Sequence, residues 1–173
     1  MTAPVGWSAA QPLDTPNLLL EPLRVEHAKD MAGVLDDPRL HTYVGGQPAT
    51  LEQLRERYRR QVVGRSGDGS QLWFNWVLRH RKTGLAVGFV HATLSTQNGE
   101  SVAKLAWVIA SAHQGQGYAR HATKAVVRWL RKLGANLIIA HVHPNHQASM
   151  AVAAGIGMSP SKTNVDGEVR WVG

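Results

Sequence analysis

The sequence predicts an α+β domain, a mixed α/β fold in which helices lie on both faces of a mixed sheet. The chain has 173 residues, of which 43% are hydrophobic, and this is enough for one buried core. Strand-like and helix-like segments alternate in its second half, whereas the strands of the first half form a meander. We therefore predict a loose N-terminal arm over residues 1–16, which contains three prolines, and a single domain over residues 17–173.

The first half of the chain carries boundary signals for one strand and two helices. Residues 18–20 are three leucines and predict a short strand. Residues 25–35 have a helical pattern that ends before Pro38, because residues preceding a proline avoid the helical region. Thr50 and Gln53 have the spacing of a capping box, so we expect a second helix to begin directly after Thr50.

The segments that follow predict a hairpin and then alternating strands and helices. Apolar runs at 72–78 and 85–90 flank a short polar turn, which is typical of a hairpin. Residues 103–109 form another apolar run, and residues 117–133 place apolar side chains three and four apart, as in a helix that stops at Gly134. The remaining segments are predicted as a strand at 137–142, a helix at 145–156 and a tail strand at 168–172.

The composition excludes several classes of protein. The chain has no cysteine, which excludes a disulfide framework, a thiolate nucleophile and a cysteine-ligated metal. No apolar run approaches the roughly 18 residues that span a bilayer, and the first residues lack the charged and apolar regions of a secretory signal. We therefore expect a cytoplasmic protein that does not associate with membranes.

Positive charge is concentrated in the second half of the chain. The 19 Lys and Arg against 12 Asp and Glu give a net charge of +7. Residues 69–165 hold ten of these basic residues and a single acid, Glu100. We expect an anion to bind there, either a nucleic acid or a polyphosphate cofactor, with a solvated basic surface as the plain alternative.

One segment has the pattern of a phosphate-binding loop. It lies between an apolar strand and a basic amphipathic helix, and two of its residues are glycines that let backbone N–H groups approach an anion. The helix N-terminus adds about half a positive charge, and Arg120 and Lys124 follow within reach. The residues predicted to bind a pyrophosphate are Gln114, Gly115, Gln116, Gly117, Tyr118, Ala119 and Arg120.

This loop resembles that of the GCN5-related N-acetyltransferase (GNAT) family, which reads Gln/Arg-x-x-Gly-x-Gly/Ala, here Gln114-x-x-Gly117-x-Ala119. A second match follows at the family's spacing, because Asn145 and Ser149 resemble its Asn-x-x-Ser helix, which ends in Gly157-Met158. The start of the domain and the strand before the loop are similar to the branch that contains ribosomal-protein N-terminal-alanine acetyltransferases (RimJ/RimL-like).

The resemblance implies a splayed sheet that admits the pantetheine arm of acetyl-CoA between two parallel strands, and it implies no metal. Backbone groups of Trp107, Val108 and Ile109 would pair with that arm, and an amide near Ile109 would face the thioester carbonyl as an oxyanion donor. Asn145 and Ser149 would line the sulfur side, where Ser149 could protonate the leaving thiolate. We also expect Asn145 to contact the cofactor. Without a cysteine, transfer to the amine would be direct.

The chain departs from the family pattern at its usual acid and base. Ala153 stands where many members have a tyrosine acid, so that role falls to Ser149 or to no residue. Lys104 stands where many have a glutamate base. The candidates left for the base are Glu100, His91, His141 and His143. Strand alternation would put His141 and His143 on one face, and a neutral imidazole can accept a proton at pH 7.

A missing strong base favours a protein or peptide N-terminal α-amine as the acceptor. Its pKa near 8 leaves a useful neutral fraction at pH 7, whereas a lysine near 10.4 requires real deprotonation. A small-amine acetyltransferase stays open, because Asp36 and Asp37 could line an acceptor groove. Association with the ribosome and a homodimer also stay open.

Two hypotheses from other functional classes compete with the enzyme hypothesis. A catalytically silent acyl-CoA-binding sensor would bind the cofactor without turnover. A nucleic-acid-binding protein would use the basic runs 55–60 and 128–132, and its binding would depend steeply on salt. The cluster His141, His143 and His146 has imidazoles that could ligate zinc, but Pro144 interrupts it and the implied reaction requires no metal.

Overall fold

The computed structural model of the protein describes residues 9–43 and 45–173. Its helices are α1 (Ala28–Leu35), α2 (Leu51–Gln61), α3 (Tyr118–Lys132) and α4 (Gln147–Gly155), with short 3₁₀ turns at Val25–His27, Pro38–His41 and Ser111–His113. Its strands are β1 (Leu13–Asp14), β2 (Leu18–Pro22), β3 (Gln71–His80), β4 (Ala86–Gln97), β5 (Glu100–Ile109), β6 (Leu137–Val142), β7 (Ser159–Val165) and β8 (Glu168–Val172). Among the described residues, no helix is long and apolar enough to cross a membrane.

The strands form one sheet in the order β1-β2-β3-β4-β5-β6-β8-β7. Every neighbouring pair is antiparallel except β5 and β6, which α3 connects as a parallel crossover. The β5–β6 pairing ends at Leu105 and Ala140, although β5 continues beside β4 as far as Ile109. The two parallel strands therefore separate at their carboxyl ends, and the predicted splayed sheet is confirmed.

The two faces of the sheet are covered to different extents. On one face, α3 packs Ala122, Val126 and Leu130 into a large core with Trp76 and Leu105. On the other face, α1 and α2 cover a smaller cluster that contains Met31, Tyr58 and Phe89. Burial in that second cluster raises the pKa of Tyr58 to about 12. Helices thus lie on both faces, as predicted, but the second face is only partly covered.

The predicted elements are found, with differences at several boundaries. The predicted helix at 25–35 begins as a 3₁₀ turn, and the capping box of Thr50 and Gln53 is present. The hairpin strands are longer than predicted, because β4 continues to a second hairpin turn at Asn98-Gly99, where both residues have positive φ. The sequence pattern missed β7, since Ser159–Val165 is a polar and mostly exposed edge strand without apolar alternation.

The predicted N-terminal arm is corrected over part of its length. Leu13–Asp14 pairs with Leu19 and Leu20 as a strand, and the Trp76 indole N–H donates to the Gln11 carbonyl at 2.8 Å. These backbone contacts hold the segment against the sheet edge. Residues 1–8 of the predicted arm lie outside the described residues.

Candidate active site

The gap between the carboxyl ends of β5 and β6 exposes backbone groups of β5. The Ala110 N–H donates to the Val87 carbonyl at 2.8 Å, so regular alternation turns the N–H groups of Ile109 and Trp107 away from β4 and into the gap. The Ile109 carbonyl accepts from the Gln114 side-chain amide at 3.0 Å. This edge therefore offers N–H donors to an amide-bearing chain, whereas the Ile109 carbonyl is already bonded to Gln114.

Gly88 of β4 supports this edge from behind. It is buried and pairs with Ile109 across the β4–β5 ladder. A Cβ at Gly88 would overlap the Val108 carbonyl oxygen and lie 3.1 Å from the Ile109 Cα. Only glycine lets β4 approach this part of β5 so closely. The sequence analysis missed Gly88, since a glycine within an apolar strand is its only signal.

The predicted phosphate loop joins β5 to α3 in a conformation that requires glycine. Gly115 and Gly117 have φ of +77° and +80°, and Gly117 is the residue before the first turn of α3. No side chain caps this helix, so the first N–H groups of α3 lack intrahelical partners and face outward. The Tyr118 hydroxyl donates to the Gln116 side-chain oxygen at 3.0 Å and braces the loop.

Basic side chains continue this anion-binding surface along α3. Arg120 and Lys124 are exposed one turn apart. The Arg120 stem lies in the groove between α3 and α4, 3.0 Å from the position that a Cβ at Gly155 would occupy. Uncapped amides, a helix N-terminus and these two cations fit a pyrophosphate.

A cluster of aromatic rings surrounds Ser149 beyond the end of β6. The Ser149 hydroxyl is 3.4 Å from the His146 Nε2, and the Tyr43 ring stacks on His146 with ring centroids 4.4 Å apart. Burial lowers the pKa of His146, with a smaller effect of His143, which favours the neutral ring. Tyr43 comes from the segment between α1 and α2, which sequence reasoning had not connected with Ser149.

Asn145 and His143 form the turn that leads into this cluster. The Asn145 N–H donates to the His143 Nδ1 at 3.1 Å, and the His143 ring lies 5.1 Å from Tyr43 between centroids. α4 begins at Gln147 with no side-chain cap, so Asn145 does not act as an N-cap. Because β6 ends at Val142, strand alternation does not extend to His143, and the expected common face with His141 is corrected.

Asp37 anchors the segment between α1 and α2 near the end of β5. Its carboxylate accepts from the Ser111 hydroxyl at 2.6 Å and forms an ion pair with Arg39 at 2.9 Å. The hydrogen bond from Arg39 holds the pKa of Asp37 far below its usual range, and the one from Ser111 lowers it further. Asp37 is therefore engaged in structure, and Tyr43 follows it in the same segment.

The part of the sheet that α1 and α2 leave open forms a polar groove, which we call the acceptor-side groove. It has a volume of about 300 Å³ and lies on the face opposite α3. The polar and charged residues that line it include Thr93, Ser95, Gln97, Lys104, His141 and Arg170. Burial lowers the pKa of His141, and Lys104 lowers it further; Glu168 and Asp166 act in the opposite direction.

His91 lies beside this groove. Its ring is 5.7 Å from Phe89 between centroids, and Ala106 is its partner across the ladder. Burial lowers the pKa of His91 to about 4, and the charge of Lys104 contributes. The ring is therefore neutral at pH 7 and able to accept a proton.

The expectation for Glu100 is corrected by its position. Glu100 is exposed at the beginning of β5, nine residues before Ile109, which is about 30 Å along a strand. It therefore lies away from the reacting end of the cleft.

Arg55, Arg59 and Arg60 of the first basic run form exposed ion pairs with glutamates of the same helix. Within residues 9–43 and 45–173, no three His, Asp or Glu side chains are grouped as a metal site requires.

Ala153 and Lys104 stand where many family members have the acid and the base. Ala153 is fully buried in the large core. It can take no part in proton transfer, and a tyrosine there would displace packed neighbours. Lys104 is exposed on the groove side of β5 and is a cation rather than a base.

Comparisons with known proteins identify the class. The model of the acetyltransferase (GNAT) domain matches residues 17–159, so the chain belongs to the GCN5-related N-acetyltransferase family. A relative is 30% identical over 148 residues, covering 82% of this chain and 83% of its own length: an uncharacterized protein, YkkB, from Bacillus subtilis (strain 168).

Solved structures of low sequence identity share the fold. A putative ribosomal-protein-serine acetyltransferase from Vibrio cholerae is 17% identical with a TM-score of 0.74, covering 96% of this chain and 98% of its own. A spermidine N-acetyltransferase from Vibrio cholerae, in complex with CoA and spermine, is 17% identical with a TM-score of 0.71, covering 91% and 95%. The chain is an N-acetyltransferase that uses acetyl-CoA, and the α+β fold class is confirmed.

Proposed function

We propose that this enzyme acetylates the α-amine of a protein or peptide N-terminus. The acceptor-side groove carries the proposal, because the cations Lys104 and Arg170 line it and a neutral imidazole, His91, lies beside it, close enough for the charge of Lys104 to act on the ring. Two cations disfavour a polycationic amine such as spermidine. An α-amine with a pKa near 8 reaches its neutral form without a strong base, so a weakly basic imidazole suffices.

The proposed chemistry uses groups from both sides of the cleft. The Ile109 N–H faces the thioester carbonyl and stabilises the negative charge that develops on its oxygen, which is worth on the order of 3 kcal/mol in comparable sites. The amine nitrogen forms the new bond to the acetyl carbon and loses its proton to His91. As the carbon–sulfur bond breaks, Ser149, whose hydroxyl the neutral His146 ring orients, donates a proton to the CoA thiolate and regains one from solvent, to which His91 releases the proton that it accepted.

Each predicted site residue has a place in this proposal, except Glu100 and Val108, whose backbone groups turn towards β4. Backbone groups of Trp107 and Ile109 hold the pantetheine arm, and the loop 114–119 with Arg120 holds the pyrophosphate. Asn145 lines the sulfur side next to Ser149. An acceptor from a ribosomal protein, as in the branch that the sequence resembles, is one form of the proposed substrate.

An acceptor panel tests the proposal. Three amines are compared: a lysine-free peptide with a free N-terminus, the same peptide N-terminally blocked with one added lysine, and spermidine. We expect kcat/KM for the free N-terminus to exceed the other two at least tenfold, with mass spectrometry placing the acetyl group on the α-amine.

The alternative functions give different results in the same experiment. A small-amine acetyltransferase would prefer spermidine or another small amine. A silent sensor would bind acetyl-CoA in calorimetry and release no thiol with any acceptor. Either result contradicts the proposal, whereas binding of acetyl-CoA alone does not distinguish them.

A further inference from the structure

We infer that the acceptor-side groove binds a carboxylate side chain within the first four residues of the acceptor peptide, through Lys104 and Arg170. This inference rests on the proposed function and names the substrate class within it. It assigns a binding role to two residues that the proposed chemistry does not use.

The two cations lack acidic partners in the part of the chain that the structure describes. The ion pairs there are formed by other basic residues, and neither Lys104 nor Arg170 has a carboxylate within 4.0 Å. The Arg170 Nε is enclosed and makes no hydrogen bond with the described residues. The rest of the Arg170 side chain lines the groove, and a guanidinium there without an acidic partner can donate to an acceptor oxygen that a ligand supplies.

The rest of the groove has the chemistry of an anion site. Thr93, Ser95 and Gln97 lie on the same side of β4 and offer hydroxyl and amide donors. His141 stands across from Arg170 in the β6–β8 ladder. The carboxylates of Asp166 and Glu168, on the β7–β8 hairpin, raise the pKa of His141 against the larger effect of its burial.

The spacing along β5 selects a peptide over a small amino acid. Lys104 stands five residues before Ile109, or about 16 Å along the strand from the N–H that faces the thioester. The carboxylate of an α-amino acid is only two bonds from its amine carbon and cannot span this distance. An extended peptide advances about 3.3 Å per residue, so a side chain at positions two to four can reach either cation.

Paired peptides test the inference on the full-length protein. Peptides with a free N-terminus carry Asp and Glu at positions two to four, or Asn and Gln at the same positions. We expect kcat/KM to be at least tenfold higher for the acidic peptide, as one charge-assisted hydrogen bond would give, and the ratio to fall at 0.5 M salt. A double variant with Lys104→Gln and Arg170→Gln should bring the ratio to about one.

Lys162→Gln is the matched control for each single variant, Lys104→Gln or Arg170→Gln, because Lys162 is exposed on β7 and is not part of the groove. It removes one positive charge and should leave the ratio as in the wild type. The ratio is measured on each enzyme separately, and acetyl-CoA binding by calorimetry shows that each variant is folded. If the double variant unfolds, each single variant should lower the ratio by severalfold.

The outcomes separate the inference from the proposed function. Equal kcat/KM for acidic and amide peptides overturns the inference and leaves N-terminal acetylation intact. An equal loss of the ratio in the Lys162→Gln variant also overturns it, because net charge alone would then explain the preference. If no peptide with a free N-terminus is acetylated, the proposed function fails and the inference fails with it.

Discussion

The binding surface that belongs to one face of the sheet consists of backbone groups, and the one on the other face consists of side chains. The α3 face is a continuous core, and the cofactor edge that it supports consists of backbone: the Ile109 N–H, the left-handed glycines and the uncapped first turn of α3. The opposite face is half-covered, and its groove consists of side chains from several strands. Backbone sites follow from the fold and suit a ligand common to the family, whereas side chains can differ with the acceptor.

The largest expected effect comes from Gly88, where the cofactor edge depends on close packing of backbone. In a Gly88→Ala variant, the new Cβ would push the Val108 carbonyl and displace the N–H groups beyond it. We expect kcat/KM for acetyl-CoA to fall at least 100-fold, with a stability loss of about 1–3 kcal/mol.

Gly33→Ala is its matched control, since a Cβ there meets nothing within 4 Å and the residue lies within α1. That variant should keep its activity and gain about 0.5–1 kcal/mol in stability. Equal acetyl transfer by the Gly88→Ala and wild-type enzymes would show that the cofactor edge tolerates a shift of β5.

The Ser149→Ala variant tests whether the Ser149 hydroxyl donates the proton to the leaving thiolate. Without the hydroxyl, the leaving thiolate has no donor from α4, so kcat should fall about 100-fold while the KM for acetyl-CoA changes less than threefold. Steady-state kinetics measure both constants. Ser159→Ala, at the exposed start of β7, serves as the control and should change neither. A rise in KM with unchanged kcat would instead assign Ser149 to cofactor binding.

The sequence could predict the cofactor edge, which is formed by residues close together in the chain, but it could not predict the acceptor-side groove. The loop 114–119 was identified because its glycines and the helix after it are neighbours in the chain. The groove was missed because it joins residues from Thr93 to Arg170 that only the sheet brings together. Tyr43 reaches His146 through a fold-back of the segment before α2, for which no local pattern exists.

The boundary errors have equally specific causes. β7 has no apolar alternation because it is an exposed edge strand, and hydrophobic periodicity is the signal on which strand prediction depends. The sequence could not show that His91 would be buried next to Lys104, because its burial depends on tertiary packing.

The pH dependence of stability tests whether the groove face holds a neutral imidazole. The pKa of His91 is about 4 in the folded protein and near 6.5 when unfolded, so the unfolded chain binds more protons between these values. The free energy of unfolding should therefore fall as pH decreases from 6.5 towards 4. Urea denaturation at pH 7.5 and pH 5 measures this.

A His91→Gln variant should weaken this dependence without removing it, since burial also lowers the pKa of His27 and His146. His113→Gln, in the 3₁₀ turn after β5, is the control and should retain the wild-type slope. The same slope in the His91→Gln variant would mean that this ring is solvated, and it would then titrate during catalysis.

The smallest expected effect is at Thr50, far from both binding surfaces. Its hydroxyl accepts from the Gln53 N–H at 3.2 Å, and the Gln53 side chain accepts from the Thr50 N–H at 2.9 Å. Thr50→Ala should lower the free energy of unfolding by about 1 kcal/mol, as measured by urea denaturation, because α2 loses its N-cap. Since α2 covers only the smaller cluster, acetyl-CoA binding should not change. A large loss of cofactor affinity would show that the two faces of the sheet are energetically coupled, although different helices cover them.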